Sequence, residues 1–246
     1  MRKHGTSSMP GSYMKFVAAV VEQLPRDLDA ASCQKWVDGQ AGLKRVLRKA
    51  LMPDSLVMNP VNNLIDAKLE LWRKYYHDHH GIVLDLGSVR IPAKQDGFDH
   101  LIVVAQRLTL NRMVEVGRKN YKLWLYREDL DRVVTDNDRM PTETYAIWVR
   151  DRQEADEEMA NLSAEDVWAK KLTGETLLER LIHGDEEFTR IGHHLDHDNV
   201  TLCTGSRHLV GDVPGVGWSR GHRKVGVGWA RPGHRYAGLR CRLAVL

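Results

Sequence analysis

The sequence predicts an α+β protein, helical and mixed in its first part and strand-rich at its end, and three observations carry that prediction. Phe16 to Leu24, Leu43 to Leu51 and Leu64 to Tyr76 place apolar side chains at spacings of three and four, the repeat of a helix with one buried stripe. The runs Ser163 to Asp166 and Thr176 to Glu179 each set a hydroxyl residue three positions before an acid, the form of a capping box that opens a helix. Finally, Gly215 to Trp218 and Val225 to Trp229 alternate an apolar residue with glycine, the period-two mark of a half-buried strand.

Taken in order, residues 1–13 read as a flexible leader, with Met14 an alternative start, and 14–80 as helices punctuated by Pro25, Pro53 and Pro60. Ile82 to Ile91 and Leu101 to Val104 are β-branched and short, which predicts strands. Thr109 caps a helix carrying Leu110, Met113, Val114 and Val116, and Tyr121 to Tyr126 alternates as a further strand. The Asp- and Arg-rich run Arg127 to Pro141 reads as a connection, so the expected division is an N-terminal region, 14–138, and a second domain, 139–246. Tyr145 to Val149 reads as a strand; the helix opened by Thr176 keeps Leu177, Leu178, Leu181, Phe188 and Ile191 on one stripe, with Gly184 a candidate interruption.

The chain of 246 residues is 42% hydrophobic and 28% charged, enough to bury a full core. No apolar run approaches the roughly 18 residues of a membrane helix, and three widely spaced cysteines, Cys33, Cys203 and Cys241, form neither a disulfide framework nor a CxxC pair. A cytoplasmic protein is therefore expected. Composition changes sharply near the end. At uniform composition the last 41 residues would hold about five Glu, Gln and Met, and they hold none. Seven Arg and one Lys face the single Asp212 there, a net of +7, which leaves −4 for the remainder of a chain at +3.

In the two glycine-alternating strands Val216, Trp218, Val225, Val227 and Trp229 would face the core. Gly215, Gly217, Gly226 and Gly228 would face outward, where each lowers strand stability by roughly 0.5 to 1 kcal/mol. With the run HLDHDNVTLCTGSR at 194–207, followed by VPGVGW, VGVGW, RPGHR and GLRCR, the chain from about 140 onward resembles the variable proteins of diversity-generating retroelements. That resemblance implies a C-type lectin fold of the formylglycine-generating-enzyme type, in which the first and last strands pair, here residues near Ile147 beside residues near Leu243. It also implies that adenines in chosen codons near the 3′ end are rewritten, and a rewritten Asn codon never yields Glu, Gln, Met, Lys or Trp. The missing Glu, Gln and Met agree with this; Lys224, Trp218 and Trp229 then lie outside the rewritten codons.

His193, His194 and His197 with Asp196 and Asp198, and separately His77, His79 and His80, cluster donors, yet neither HExxH nor paired cysteines accompany them, so no metal is expected. The resemblance gives His194-Leu195-Asp196 a structural role. Cys203 and Cys241 do not reproduce the cysteine pattern of the formylglycine-generating oxidases, and the tail lacks the clustered acids of a calcium lectin. No glycine-rich phosphate loop precedes a helix. Neither an enzyme nor a cofactor is expected.

The resulting expectation is a binding protein whose variable region, about 210–240, meets a macromolecular ligand, an acidic protein surface by charge. Its variable, ligand-facing set is Gly215, Gly217, Ser219, Arg220, His222, Arg223, Gly226, Gly228, Arg231, His234 and Tyr236; its framework is Val216, Trp218, Val227, Trp229, Leu239 and Arg240. The alternative is a nucleic-acid-binding tail that neutralises phosphates with its arginines and stacks bases on Trp218, Trp229 and Tyr236.

Overall fold

A computed structural model describes residues 29–38, 60–87 and 89–246. The chain divides into two units, Met1–Asn63 and Leu64–Leu246. Within the first, helix α1 covers Ala30–Asp38. The expected leader at 1–13, the start at Met14 and the helices at Phe16 to Leu24 and Leu43 to Leu51 lie outside the described residues.

The second unit is a mixed α+β assembly. Helix α2 (Pro60–Tyr75) runs into a π-helical turn, Tyr76–His80, that closes on Gly81 in the left-handed region at φ 67°. Strand β1 (His100–Val104), helix α3 (Leu110–Asn120), strand β2 (Leu123–Leu125), the short helix α4 (Leu130–Val133) and strands β3 (Val134–Asn137) and β4 (Tyr145–Val149) follow. Next come α5 (Ala164–Ala169), α6 (Leu177–Ile191), β5 (Val200–Leu202), β6 (Ser206–His208), β7 (Val213–Ser219), β8 (Lys224–Ala230) and β9 (Leu239–Arg240). The principal sheet has the order β2-β8-β7-β5-β9, with β2 parallel to β8, β5 parallel to β9 and the β7–β8 and β5–β7 pairs antiparallel. Two-stranded sheets β1-β4 and β3-β6 complete it. Among the described residues no helix is long and apolar enough to cross a membrane.

Local signals place most helix starts. Thr109 accepts from Arg112 N at 3.2 Å, and the boxes at Ser163 and Thr176 both close, satisfying N–H groups that the first turn leaves without partners. Helix α6 is not interrupted at Gly184. A Cβ there would stand 2.5 Å from Arg180 Nη1, so the missing side chain is what lets Arg180 lie along its own helix. The expected strand at Ile82 to Ile91 is absent among its described residues; Val83 is 86% exposed, and β-branched composition without a neighbouring edge makes no ladder. Arg127 to Pro141, expected as a connection, instead holds α4 and β3, and β3 pairs with β6. β1 and β2, both N-terminal to residue 139, pair with β4 and β8 beyond it.

The core lies between α6 and the sheets. Leu177, Leu181 and Ile182 of α6 meet Ile102, Val103, Ile147 and Trp148 from the β1-β4 ribbon and Val216 and Val227 from the inner face of the principal sheet. Trp148 is closed to solvent and its indole donates to Pro92 O at 2.9 Å. The chain end returns to this ribbon: Trp148 and Val245 exchange backbone hydrogen bonds of 3.1 and 2.9 Å, two residues from the position expected near Leu243.

One ionic knot sits behind the principal sheet. Asp196, fully buried and left-handed at φ 58°, accepts from Arg180 Nη2 at 2.7 Å and from Arg242 Nη2 at 2.7 Å, and also from Thr201 Oγ1. Arg242 donates further to Arg152 O and Gln153 O at 2.8 and 2.7 Å. Burial would raise the Asp196 carboxyl, but Arg242 and Arg180 outweigh it and hold it below its ordinary range. The neighbouring Glu175 behaves oppositely: burial pushes it up to about 8 against the pull of the same two arginines, and its Oε1 faces His183 Nδ1 at 2.9 Å. Glu186 is pushed up to about 7, again by burial first.

These shifts set a pH window. The depressed Asp196 contributes stability that is present above the unfolded carboxylate range near pH 4 and lost as pH falls through its folded value. Glu175 and Glu186, raised on folding, contribute stability that is fully present below about pH 4 and lost as pH rises toward 8 and 7. Denaturation curves should therefore show maximal stability in mildly acidic solution, with Glu175→Gln flattening the alkaline decline; an unchanged slope in that variant would refute the assignment. Asp196→Ala strands two buried guanidinium groups and should cost about 3 to 5 kcal/mol, read by urea unfolding.

Candidate functional site

The register of β7 and β8 sets Gly215 opposite Gly228 and Gly217 opposite Gly226, so four positions without Cβ form one contiguous block on a single face of the sheet. Neighbouring strands wall that block. Trp124 on β2 lies opposite Gly226, and Val200 on β5 stands where Cβ atoms on Gly215 and Gly217 would meet it at 3.1 Å. Alternation puts Ser219 and Lys224 on the same face at the hairpin end, and Val213 and Ala230 at the other. The result is a trough of about 330 Å³, floored by glycine backbone and bordered by Trp124, Val200, Tyr236 and Leu239.

The four glycines are not equivalent. A Cβ on Gly228 would meet nothing within 4 Å, and one on Gly226 would stand in ordinary contact with Trp124 Cε3 at 3.7 Å and Gly217 O at 3.9 Å. Gly217, by contrast, would bring a Cβ within 3.0 Å of Asn199 O, and Gly215 is buried. The expectation of four outward, freely replaceable glycines therefore holds in space for the β8 pair alone, because β5 packs its Val200 side chain over the β7 pair.

The other expected variable residues fall into two exposed segments. Arg220, His222 and Arg223 form the β7–β8 turn that follows the half-buried Ser219 at the end of β7; Ser219 Oγ and His222 Nδ1 lie 3.1 Å apart, Arg220 pairs with Asp198 at 2.8 Å and Arg223 takes φ 49°. Arg231, His234 and Tyr236 occupy the loop that leaves β8 and returns to β9; its Gly238 O accepts from Val200 N at 2.8 Å. Tyr236 is 43% exposed, with its ring 5.5 Å from that of His234.

Of the framework set, Val216, Val227 and Leu239 are buried, whereas Trp218, Trp229 and Arg240 are half-buried. Trp218 stacks on His194 at 3.9 Å, which itself stacks on Phe188 at 4.4 Å, and the ring of His197 lies 6.0 Å beyond. The Trp229 indole meets His208 edge-on at 4.7 Å with its Nε1 enclosed and without a partner. Both indoles are thus engaged by the protein, leaving Tyr236 as the open aromatic of the tail. Arg240 contributes its backbone to the β5–β9 pair and its Nε has no partner; the arginine that serves the fold is Arg242.

Trp124 was missed by the sequence reading. Its 45% exposure, beside Lys224 whose Nζ stands 5.1 Å from its ring centre, puts it on the trough. The alternation Tyr121 to Tyr126 marks a strand, but only the parallel pairing with β8, a contact a hundred residues distant, shows which face the indole takes.

His194 and His80 pack against aromatic rings. Burial lowers His194 to about 4, with His197 and Arg180 adding to the effect, and His80 falls to about 4 by burial beside Tyr75 OH at 3.1 Å. Among the described residues no group of three or more His, Cys, Asp or Glu side chains is arranged to hold a metal ion. Burial also pushes Cys203 well up and Cys241 up to about 12, so both remain thiols at neutral pH.

The crowding difference yields a sign test. None of the four trough glycines has a positive φ, so Gly228→Ala should hold or raise stability by about 0.4 to 1 kcal/mol by restricting the unfolded chain. Gly217→Ala, forced against Asn199 O and Val200, should lose about 1 kcal/mol or more. Chemical denaturation of both variants compares them; equal effects of the same sign would refute the crowding argument.

No family model matches the chain, and no curated protein and no solved structure is significantly similar to it.

Proposed function

We propose that this chain is a ligand-binding protein of the retroelement-diversified kind, presenting a replaceable surface on a fixed C-terminal frame in a C-type lectin-like arrangement. The observation that carries this reading is the separation of roles within the tail. Arg220, His222, Arg223, Arg231, His234 and Tyr236 are exposed in the β7–β8 turn and the β8–β9 loop, while Val216, Val227 and Leu239 between them are buried. Residues that can change without touching the core alternate along the chain with residues that cannot, as binding loops do on a rigid scaffold. The absence of Glu, Gln and Met from the same 41 residues supports the codon-rewriting part of the proposal. Arg242, tied to Asp196, and the Trp148–Val245 bridge hold the end of the chain to the core, so the variable segments start and finish at fixed points.

The ligand is macromolecular and met without covalent chemistry. Exposed Arg231 and Arg223 favour an acidic protein surface, since arginine and tyrosine are the side chains that most often anchor such contacts. A library randomised at Arg220, His222, Arg223, Gly228, Arg231, His234 and Tyr236 should stay folded and yield members that bind different proteins. A matching library at Val216, Val227 and Leu239 should unfold. The surrounding DNA is expected to hold a reverse transcriptase gene and a near-copy of the codons for residues 210–240 that differs at adenines. Equal intolerance of the two libraries, or DNA without such a copy, would overturn the proposal.

A further inference from the structure

Resting on the reading of this face as the ligand face, we propose that the glycine-floored trough receives a single aromatic side chain of a protein partner, with a carboxylate beside it taken by Lys224. The floor is backbone: Gly226 and Gly228 leave the peptide planes of β8 open, and Gly215 and Gly217 continue the floor on β7 beneath the overhanging Val200 side chain. The walls, Trp124 and Val200, stand on strands three spacings apart, about 14 Å. After the thickness of the walls, that width takes one flat ring lying on the floor and does not take a second. The volume, about 330 Å³, is also at the small end of ligand cavities, the size of one large side chain rather than of an extended polymer.

The polarity of the trough selects among flat rings. Its lining is glycine, Val200, Ala230, Leu239 and the indoles of Trp124, Trp218 and Trp229, and its hydroxyl side chains are Ser219 and Tyr236. A nucleobase or a sugar laid there would leave most of its donors and acceptors without partners, a penalty an aromatic side chain does not incur. Trp124 and Tyr236, 45% and 43% exposed, supply ring edges and faces at which an aromatic guest gains more than its buried area alone.

Charge then fixes what accompanies the ring. Lys224 shares the glycine face by alternation, opposite Ser219 at the hairpin end, and its Nζ stands 5.1 Å from the centre of the Trp124 ring that walls the trough. Among the described residues it has no acidic partner, whereas Arg220 is already paired with Asp198 and Arg235 with Asp166. An ammonium held beside an uncharged floor suits a carboxylate adjoining the ring, whether a neighbouring Asp or Glu or the terminus of a chain that ends in an aromatic residue. Trp124 and Lys224 lie outside the expected rewritten positions, so the ring wall and the cation are constant, while the floor glycines, Ser219 and Tyr236 belong to the expected variable set and leave the trough open in this particular chain.

The test uses the full chain and four probes: N-acetyl-L-tryptophan, its primary amide, N-acetyl-L-leucine and a thymidine tetranucleotide, followed by backbone and indole NMR shifts. Saturable shifts are expected at Gly226, Gly228 and the Trp124 indole with N-acetyl-L-tryptophan, and with the amide at roughly two- to fivefold weaker affinity, the range of an exposed ion pair. Lys224→Met should erase the difference between acid and amide. Gly228→Leu, at a position where a Cβ meets nothing, should fold normally by chemical denaturation and abolish the shifts; Trp124→Ala should weaken them about tenfold. N-acetyl-L-leucine binding as well as N-acetyl-L-tryptophan would overturn the aromatic assignment, and shifts from the tetranucleotide alone, weakening with salt, would replace it with single-stranded nucleic acid. No shift from any probe overturns the trough; the tail libraries, which read folding and partner choice, decide the variable-surface reading separately.

Discussion

The buried Asp196 carboxylate is the constraint on which the other features depend. Its Oδ1 and Oδ2 are shared by Arg242 and Arg180, its backbone N–H donates to Gln153 O at 2.9 Å and its carbonyl accepts from Trp218 N at 2.9 Å. A single residue thereby joins helix α6, the segment after β4, strand β7 and the end of the chain. Removing an unpaired ion from water is costly, so each member of the knot is tolerable only while the others are in place. That mutual dependence fixes geometry more than it adds net stability. It also accounts for Gly184, whose missing side chain makes room for Arg180, and for the left-handed backbone at Asp196.

With the inner face of the β7–β8 hairpin secured in this way, its outer face is released from a structural duty. Val216 and Val227 bury one side of the ribbon against the central core, and the opposite side carries glycine at four paired positions. Glycine is a poor strand former, and a block of it persists only when other contacts hold the strands. Here the neighbours do so. β2 and β5 flank the hairpin on both edges, and Trp218 is held by the ring column of His194 and Phe188. The part of that face over β8, walled by Trp124 and Val200 but not filled, is the physical basis for the proposed ligand contact.

The trough also shows why a tail read in isolation misleads. Its charge suggests a basic strip, yet the cations are distributed among different tasks: Arg242 is buried, Arg207, Arg220 and Arg235 are paired with acids, Arg223 and Arg231 are exposed, and Lys224 stands beside Trp124. Net charge sets long-range attraction, while the local surface decides what docks. The two tryptophans that would serve as stacking platforms are half-buried and each is packed against a histidine, and the more exposed Trp124 comes from a strand outside the tail.

Sequence alone determined the features that are local in the chain. The capping boxes at Ser163 and Thr176, the cap at Thr109, the alternation that makes β7 and β8 strands and the burial of Val216 and Val227 all follow from spacing within a few residues. Tertiary structure decided what depends on partners far along the chain. Ile82 to Ile91 has strand composition but finds no edge to pair with among its described residues, whereas Arg127 to Pro141, with the composition of a loop, acquires β3 because β6 lies beside it. The crowding of Gly215 and Gly217 by Val200, the choice of Arg242 rather than Arg240 as the buried cation and the arrival of Trp124 at the trough are likewise invisible to periodicity. Periodicity reports which side of a strand is apolar; what comes to lie over that side is set by non-local pairing, which a single sequence does not encode in any window short enough to read.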